Sequence, residues 1–492
     1  MSDLQLISPP MITYKGDIFG MIPSPPVGLA CLAAYIRENG FNVKVLDCFG
    51  EAPYVSSKYR DEFVRIGLSQ DEIIKQIDPD ARLVGISIHS GMTAAFCLSL
   101  AMEIKQQFGK PVVMGGGHAS TTYGELLEQG IDYVVIGEGE GPLLELMQRI
   151  SAGKNCAGIP GVATAGATAP PAEGKTVNMD DLPFPAWDLV PLEKYWSLKM
   201  SHSPVSGRFV PVITSRGCPF NCAFCSTPKI SGRNWRSYSP ERAVREIKHL
   251  QKTLGVTDVF IQDDNFNFDS DRVIALCDLL ARECLPVRLS LPSGVRLEKM
   301  SADVISALSR GGFHYLCLAP ESGSEKVRNN MRKPLQEEKL MEVQQQCKKH
   351  RIRTGAFIII GTPGETAGDI LKTAIMIAKL LWYGVDDVSI FIYSPVPGST
   401  MISACEDTMP KDYLGVCWTP RWRKQFRYLS RVRKLLYCVY MLLKLLFQPL
   451  SGFRHLRNIM RKTFETKGEM ALSRLLSNKL FSRSNLPWGD PE

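Results

Sequence analysis

The sequence predicts an α/β protein in three parts: a doubly wound N-terminal domain, a partial barrel of six β/α units, and a helical, basic C-terminal extension. Three observations carry this. Short β-rich apolar runs alternate with helical patterns five times within the first 150 residues, and six times more between residues 210 and 393. Between the two series lies a stretch with Pro-Pro, several Gly and DDLPFPAWDLVP that sustains no period. Beyond residue 420, Lys and Arg outnumber Asp and Glu by 16 to 4, whereas residues 1–420 carry 42 against 46.

In the first series, strands are expected at 4–8, 43–47, 83–89, 112–115 and 133–137. Helices are expected at 28–39, 71–77, 93–108, 121–129 and 141–151. Strands regularly followed by helices make a parallel sheet covered on both faces, with ligands beyond the carboxyl ends of the strands. Residues 1–151 form this domain and 152–205 an extended linker. In the second series the strands fall near 210–215, 257–262, 287–291, 314–319, 355–360 and 387–393. Helices near 240–253, 270–284, 302–310, 336–350 and 367–383 separate them. Without a hairpin signal this reads as an all-parallel, incompletely closed barrel over 206–400, its site at the C-terminal strand ends. Residues 401–492 are the extension.

At 492 residues, 45% hydrophobic and 22% charged, the chain is globular in character. Eleven of its 14 cysteines are scattered and read as reduced packing residues of a cytoplasmic protein. The start MSDLQLISPP has no basic region followed by an apolar one, and no stretch reaches the roughly 18 apolar residues of a spanning helix.

The other three cysteines are Cys218, Cys222 and Cys225, spaced C-x3-C-x2-C just after the first barrel strand. Three thiolates on one tight loop can each take one iron of a cubane and leave the fourth iron open to a chelating amino-carboxylate. A structural zinc site needs a fourth protein ligand, and neither His202 nor His249 has a ligand-like spacing.

This motif, with the aromatic Phe224 before its third Cys, resembles the radical S-adenosylmethionine (SAM) superfamily over about residues 208–400. The resemblance implies a [4Fe–4S] cluster on the three cysteines. SAM would be held on the open iron and cleaved reductively to methionine and a 5′-deoxyadenosyl radical, with the electron coming from a donor such as flavodoxin or ferredoxin. It also implies SAM contacts at successive strand ends. Asp263 and Asp264 would bind the ammonium, Arg296 the carboxylate, Glu321 and Ser322 the ribose and methionine, and Gly361 to Glu365 the adenine side. An acidic turn at 263–264 and a surface salt bridge at Arg296 are the plainer alternatives.

The N-terminal domain resembles the flavodoxin-like cobalamin-binding domains of the same superfamily, on two loops. Ser87-Ile88-His89-Ser90-Gly91 follows the third strand and Met114-Gly115-Gly116-Gly117-His118 the fourth. The resemblance implies cobalamin, with Ser87, Gly115 and Gly116 lining its nucleotide tail and Gly137 and Glu138 in the next loop. The loop Ser8–Gly28 lacks the usual cobalt-binding His. Cobalamin is therefore expected base-off, and His89 either approaches cobalt or is bonded within the pocket wall. A vestigial Rossmann domain is the rival, but no Gly-x-Gly-x-x-Gly follows the first strand.

The leading functional reading is methylation of an unactivated carbon of a hydrophobic small molecule. The second is oxidative cyclisation or skeletal rearrangement without methyl transfer, and the third a non-enzymatic corrinoid carrier or redox scaffold. No catalytic side chain is assigned. The tail, with seven cations in 421–434 beside the apolar run Leu435–Phe447, is expected either to pack on the barrel or to lie peripherally at the inner membrane surface. No nucleic-acid partner is expected, since the charge is not joined to a reader motif.

Overall fold

Period-2 apolar runs bounded by Gly and Pro become strands because a parallel sheet buries both faces of each. The computed structural model describes residues 2–17, 22–166, 173–174 and 176–480, with side chains through 476. In the N-terminal domain the strands lie in the order Val43–Asp47, Leu4–Ser8, Leu83–Ser87, Val112–Gly115, Tyr133–Val135. All four pairings among these are parallel. The sequence order 2-1-3-4-5 is the flavodoxin-like winding, whose crevice opens where the order reverses.

Two features were not foreseen. Val162–Thr164, inside the expected linker, adds a sixth strand antiparallel to Tyr133–Val135. Met11–Tyr14, Phe63–Ile66 and Ser56–Lys58 form a separate antiparallel sheet. Strands of three or four residues are too short to give a pattern that sequence can separate from loop.

The second domain is a sheet of six parallel strands in sequential order: Phe209–Val212, Asp258–Ile261, Arg288–Val295, Phe313–Glu321, Arg353–Ile360 and Asp387–Ile392. No pairing joins the first to the last among the described residues, so the barrel is open on one side. Strand alternation sorts the side chains into two faces. Leu316, Leu318, Ile358, Ile360, Ile390 and Ile392 pack outward into the helix-covered core. By register, Tyr315, Cys317, Ala319, Phe357, Asp387 and Phe391 point into the barrel. Where no hairpin was expected, Ser215–Arg216 pairs with Arg236–Ser237 and frames the cysteine loop.

The extension covers the open side. Helix Phe426–Phe447 buries Leu429, Arg433, Leu436, Tyr440 and Lys444, one stripe at steps of three and four. Its Tyr437 hydroxyl accepts the Ile390 N–H of the edge strand at 2.9 Å, which blunts an otherwise open edge. Helix Pro449–Arg461 follows at a 110° bend. The chain then crosses the gap: Phe464 N–H donates to Val205 O (3.1 Å) ahead of the first strand, and Gly468 N–H to Asp387 Oδ2 (3.2 Å) on the last. Helix Lys467–Leu480 starts there.

Candidate active site between the two domains

The cysteine loop leaves the first barrel strand through Gly217, whose φ is +83° and whose Cβ would overlap the Asn234 carbonyl, so only glycine fits the turn. Each sulfur then accepts one hydrogen bond from a different element: Cys218 from Asn265 Nδ2 (3.8 Å), Cys222 from an Arg296 guanidinium nitrogen (3.4 Å), Cys225 from Thr227 N–H (3.5 Å). Burial raises the Cys218 and Cys222 thiols, and at Cys222 the charges of Lys333 and Arg296 pull the other way. Donors and cations aimed at sulfur suit thiolate ligands of a cluster.

The expected SAM residues separate into two groups. Asp264, Arg296, Phe224 and Glu321 lie around this loop. Asp264 Oδ2 accepts Gly217 N–H at 3.0 Å. The Arg296 guanidinium sits 3.7 Å from the centroid of the Phe220 ring. Glu321, at φ +63°, pairs at 2.6 Å with Lys333, whose ammonium is 6.0 Å from the Phe224 centroid.

Asp263 and Ser322 are turned to structural work. Asp263 accepts Thr214 N–H (2.6 Å), Thr214 Oγ1 (2.7 Å) and Ser215 Oγ (2.7 Å), which occupies both of its oxygens and braces the cysteine loop from behind. Ser322 is fully buried against Thr373 (3.1 Å). At the fifth strand end, Glu365 Oε2 accepts the N–H groups of Gly361 and Thr362, while its buried Oε1 has no partner among the described residues. Burial pushes this carboxyl up to about 7. The Gly361 carbonyl is held by Arg423 of the extension at 2.9 Å, a contact with no sequence signal.

Across the crevice, Ser87 and Gly115 are register partners at the ends of adjacent strands of the N-terminal domain. A Cβ on Gly115 would stand 3.8 Å from Val135, an ordinary van der Waals contact, so the loop itself does not require glycine there. Gly116 differs: at φ +103° its Cβ would stand 2.8 Å from the Ile88 carbonyl, so the loop itself requires glycine there. Ser120, not singled out from sequence, ties the two loops by donating to Gly116 O (2.9 Å) and accepting Gly137 N–H (3.0 Å). Glu138 turns to the barrel and pairs with Arg236 and, at 3.5 Å, Arg216, while the adjacent Glu140 holds Arg216 at 2.7 Å. Gly137 and Glu138 thus belong to a strut between the domains. Enclosure lowers the His89 imidazole, opposed by the charge of Asp264 from the barrel side. A Cβ on Gly117 would lie 3.3 Å from Ile230, five residues beyond Cys225, so the two expected cofactor regions adjoin.

The sequence model of the radical SAM superfamily matches residues 212–377, and that of the B12 binding domain residues 23–147. An uncharacterized methyltransferase of Pyrococcus horikoshii, PH0819, is 31% identical over 80% of this chain and 81% of its own. The cytidylyl-2-hydroxyethylphosphonate methyltransferase of Streptomyces wedmorensis is 29% identical over 77% of each chain. Among solved structures, the radical SAM methyltransferase TsrM of Kitasatospora setae superposes with a TM-score of 0.63 at 18% identity, covering 81% of this chain and 74% of that one. The chain belongs to the radical SAM enzymes that carry an N-terminal cobalamin-binding domain, with a [4Fe–4S] cluster, SAM and cobalamin as cofactors.

Proposed function

We propose that this enzyme methylates an unactivated carbon of a small molecule with an apolar body. The observation that carries the reading is the junction of the two cofactor regions: the Gly115–Gly117 loop packs on Ile230, five residues beyond Cys225, and Glu140 pairs with Arg216, two residues before Cys218. Radical generation and methyl delivery are the chemistry the cluster with SAM and the corrinoid supply when bound. The chain's own residues position and exclude. Arg296 and Asn265 hold the cysteine sulfurs, and Asp263 fixes the loop. Glu365, its carboxyl raised to about 7 by burial, offers an unpartnered oxygen beside the Gly361 turn for the adenine side. An apolar wall of Phe357, Phe391 and Trp418 suits a hydrocarbon or aromatic substrate, with the Phe391 and Trp418 centroids 4.7 Å apart. Small electron-transfer proteins such as flavodoxin or ferredoxin supply the reducing electron.

The localisation we assign is cytoplasmic and peripheral at the inner membrane surface. No single described helix is long and apolar enough to cross a membrane. The bent pair Phe426–Phe447 and Pro449–Arg461 nevertheless turns Leu442, Leu446, Leu450, Phe453 and Met460 outward, each at least 68% exposed, far more apolar surface than a soluble helix usually shows. Arg427, Arg431 and Lys434 are exposed on the first of these helices, and Lys424 just before it. That combination fits an anionic interface.

The test of the methyl-transfer reading uses SAM carrying a trideuterated methyl group. Anaerobically reduced holoenzyme and a lipid-containing extract of the producing cells should yield a compound three mass units heavier than its unlabelled form. Cys222→Ala should not. Absence of any labelled carbon product, with SAM still cleaved, would remove the reading.

A further inference from the structure

Helix Lys467–Leu480 fills the open side of the barrel, and its start brings a cation into the interior. The Lys467 ammonium donates to Pro292 O at 2.8 Å and lies 4.8 Å from the Phe357 centroid, both on barrel strands, with the side chain only 8% exposed. One carbonyl satisfies one of its three N–H donors. Seven residues on, two helical turns along the same face, stands Arg474, 7% exposed. Its buried Nε has no hydrogen-bond partner among the described residues.

One carboxylate acts on each cation, Asp387 on Lys467 and Asp17 on Arg474. Asp387 accepts from Gly468 N–H and, at 3.4 Å, from the Tyr315 hydroxyl, and its carboxyl is pushed up to about 6 by burial. The carboxylate whose charge acts on Arg474 is Asp17, which accepts from Thr419 at 3.4 Å. His202 and Cys317 complete the ionisable groups around Lys467. Thr419 follows Trp418, whose ring is tilted against Phe391 of the last strand, so Arg474 stands near the barrel mouth with Lys467 deeper. A buried guanidinium without a partner is strongly unfavourable unless something else pairs with it.

We propose that the missing partner is an anionic group of the substrate, a carboxylate or a phosphonate or phosphate, bound by Arg474 with Lys467 behind it. The inference rests on the barrel interior being the substrate chamber, as the methyl-transfer reading has it. The substrate is then amphiphilic: an apolar body along Phe357, Phe391 and Trp418 and an anion at the helix that closes the barrel. Arg474 acts as a binding and orienting residue, its planar fork matched to a carboxylate or phosphoryl oxygen pair.

The experiment titrates anaerobically reconstituted full-length protein, saturated with SAM so that the open iron is occupied, with three probes: phenylphosphonate, benzoate and neutral benzamide. Calorimetry or saturation-transfer NMR reads binding. At least one anion should bind the wild type more tightly than benzamide, and the preferred anion identifies the head-group class. Arg474→Met should weaken that anion about tenfold or more, and Lys467→Met should weaken it in the same direction. Thermal melts guard against misfolding: Arg474→Met should melt at or above the wild-type temperature, because it removes an unpaired buried charge. Equal anion binding by wild type and Arg474→Met, or no preference of the wild type for either anion, would overturn the proposal. Turnover is not needed, so failure of methyl transfer leaves this result standing on its own.

Discussion

At the cysteine loop each sulfur meets its own donor, so the site is ordered residue by residue. Three cysteines within eight residues announce their chemistry because few other uses of that spacing exist, and the loop has Asn265, Arg296 and Thr227 waiting at their sulfurs. Asp263 and Asp264 are adjacent in sequence, yet one braces the loop from behind and the other faces the crevice. Which of two neighbours turns inward depends on the strand pairing, not on their type. The glycines divide in the same way, and this gives a prediction. Gly115→Leu should lower bound corrinoid several-fold with iron content and melting temperature little changed, because its Cβ makes only an ordinary contact with Val135 at 3.8 Å. Gly116→Ala should lower the melting temperature whether or not corrinoid is present, because its Cβ meets the Ile88 carbonyl at 2.8 Å. Corrinoid absorbance and thermal melts of the two variants separate the roles; equal loss of corrinoid from both without loss of stability would contradict the assignment.

At the scale of elements, the long strands and helices were legible because their periods run for several turns, and the short strands were not. The extension shows both outcomes. Its apolar run was visible, and packing on the barrel and exposure of the opposite face coexist on one helix. Tyr437, Tyr440 and Lys444 attach it to the last strand region, while Leu442 and Leu446 face away. Not every cation of 421–434 is free for a surface: Arg423 and Arg433 are buried, and Arg421 pairs with Glu62. The four exposed ones give roughly 1 kcal/mol each near anionic lipid. Full-length protein should therefore float with anionic liposomes at low salt and less at physiological salt. Leu442→Glu with Leu446→Glu and Phe453→Glu should abolish flotation without altering the melting temperature, since these side chains are solvent-exposed. Undiminished flotation of the triple variant would discard the docking face.

At the scale of the whole molecule, the domains are held by a buried charge network that sequence could not have paired, since its members are about 75 to 100 residues apart. Burial alone would raise the Glu140 carboxyl, but Arg216 beside it holds it below the usual carboxylate range. A lowered folded pKa adds stability that is present above the unfolded value, about 4.3 for Glu, and is lost as pH falls through the folded value. Glu140→Gln leaves Arg216 buried without its closest counter-charge and should cost about 3 kcal/mol or more. Adding Arg216→Gln should recover part of that loss in denaturant melts. Purely additive losses would mean that the pair is not coupled.

The whole arrangement has one purpose in this account: two cofactor regions opening on one chamber, so that SAM serves both as radical source and as methyl source. The most direct test counts both SAM products in one anaerobic reaction of the reduced holoenzyme with its substrate. The account predicts 5′-deoxyadenosine and S-adenosylhomocysteine together, with Cys222→Ala losing the former. Formation of 5′-deoxyadenosine with no S-adenosylhomocysteine would contradict methyl transfer and point to cyclisation or rearrangement, and formation of neither, with cluster and corrinoid intact, would leave a carrier.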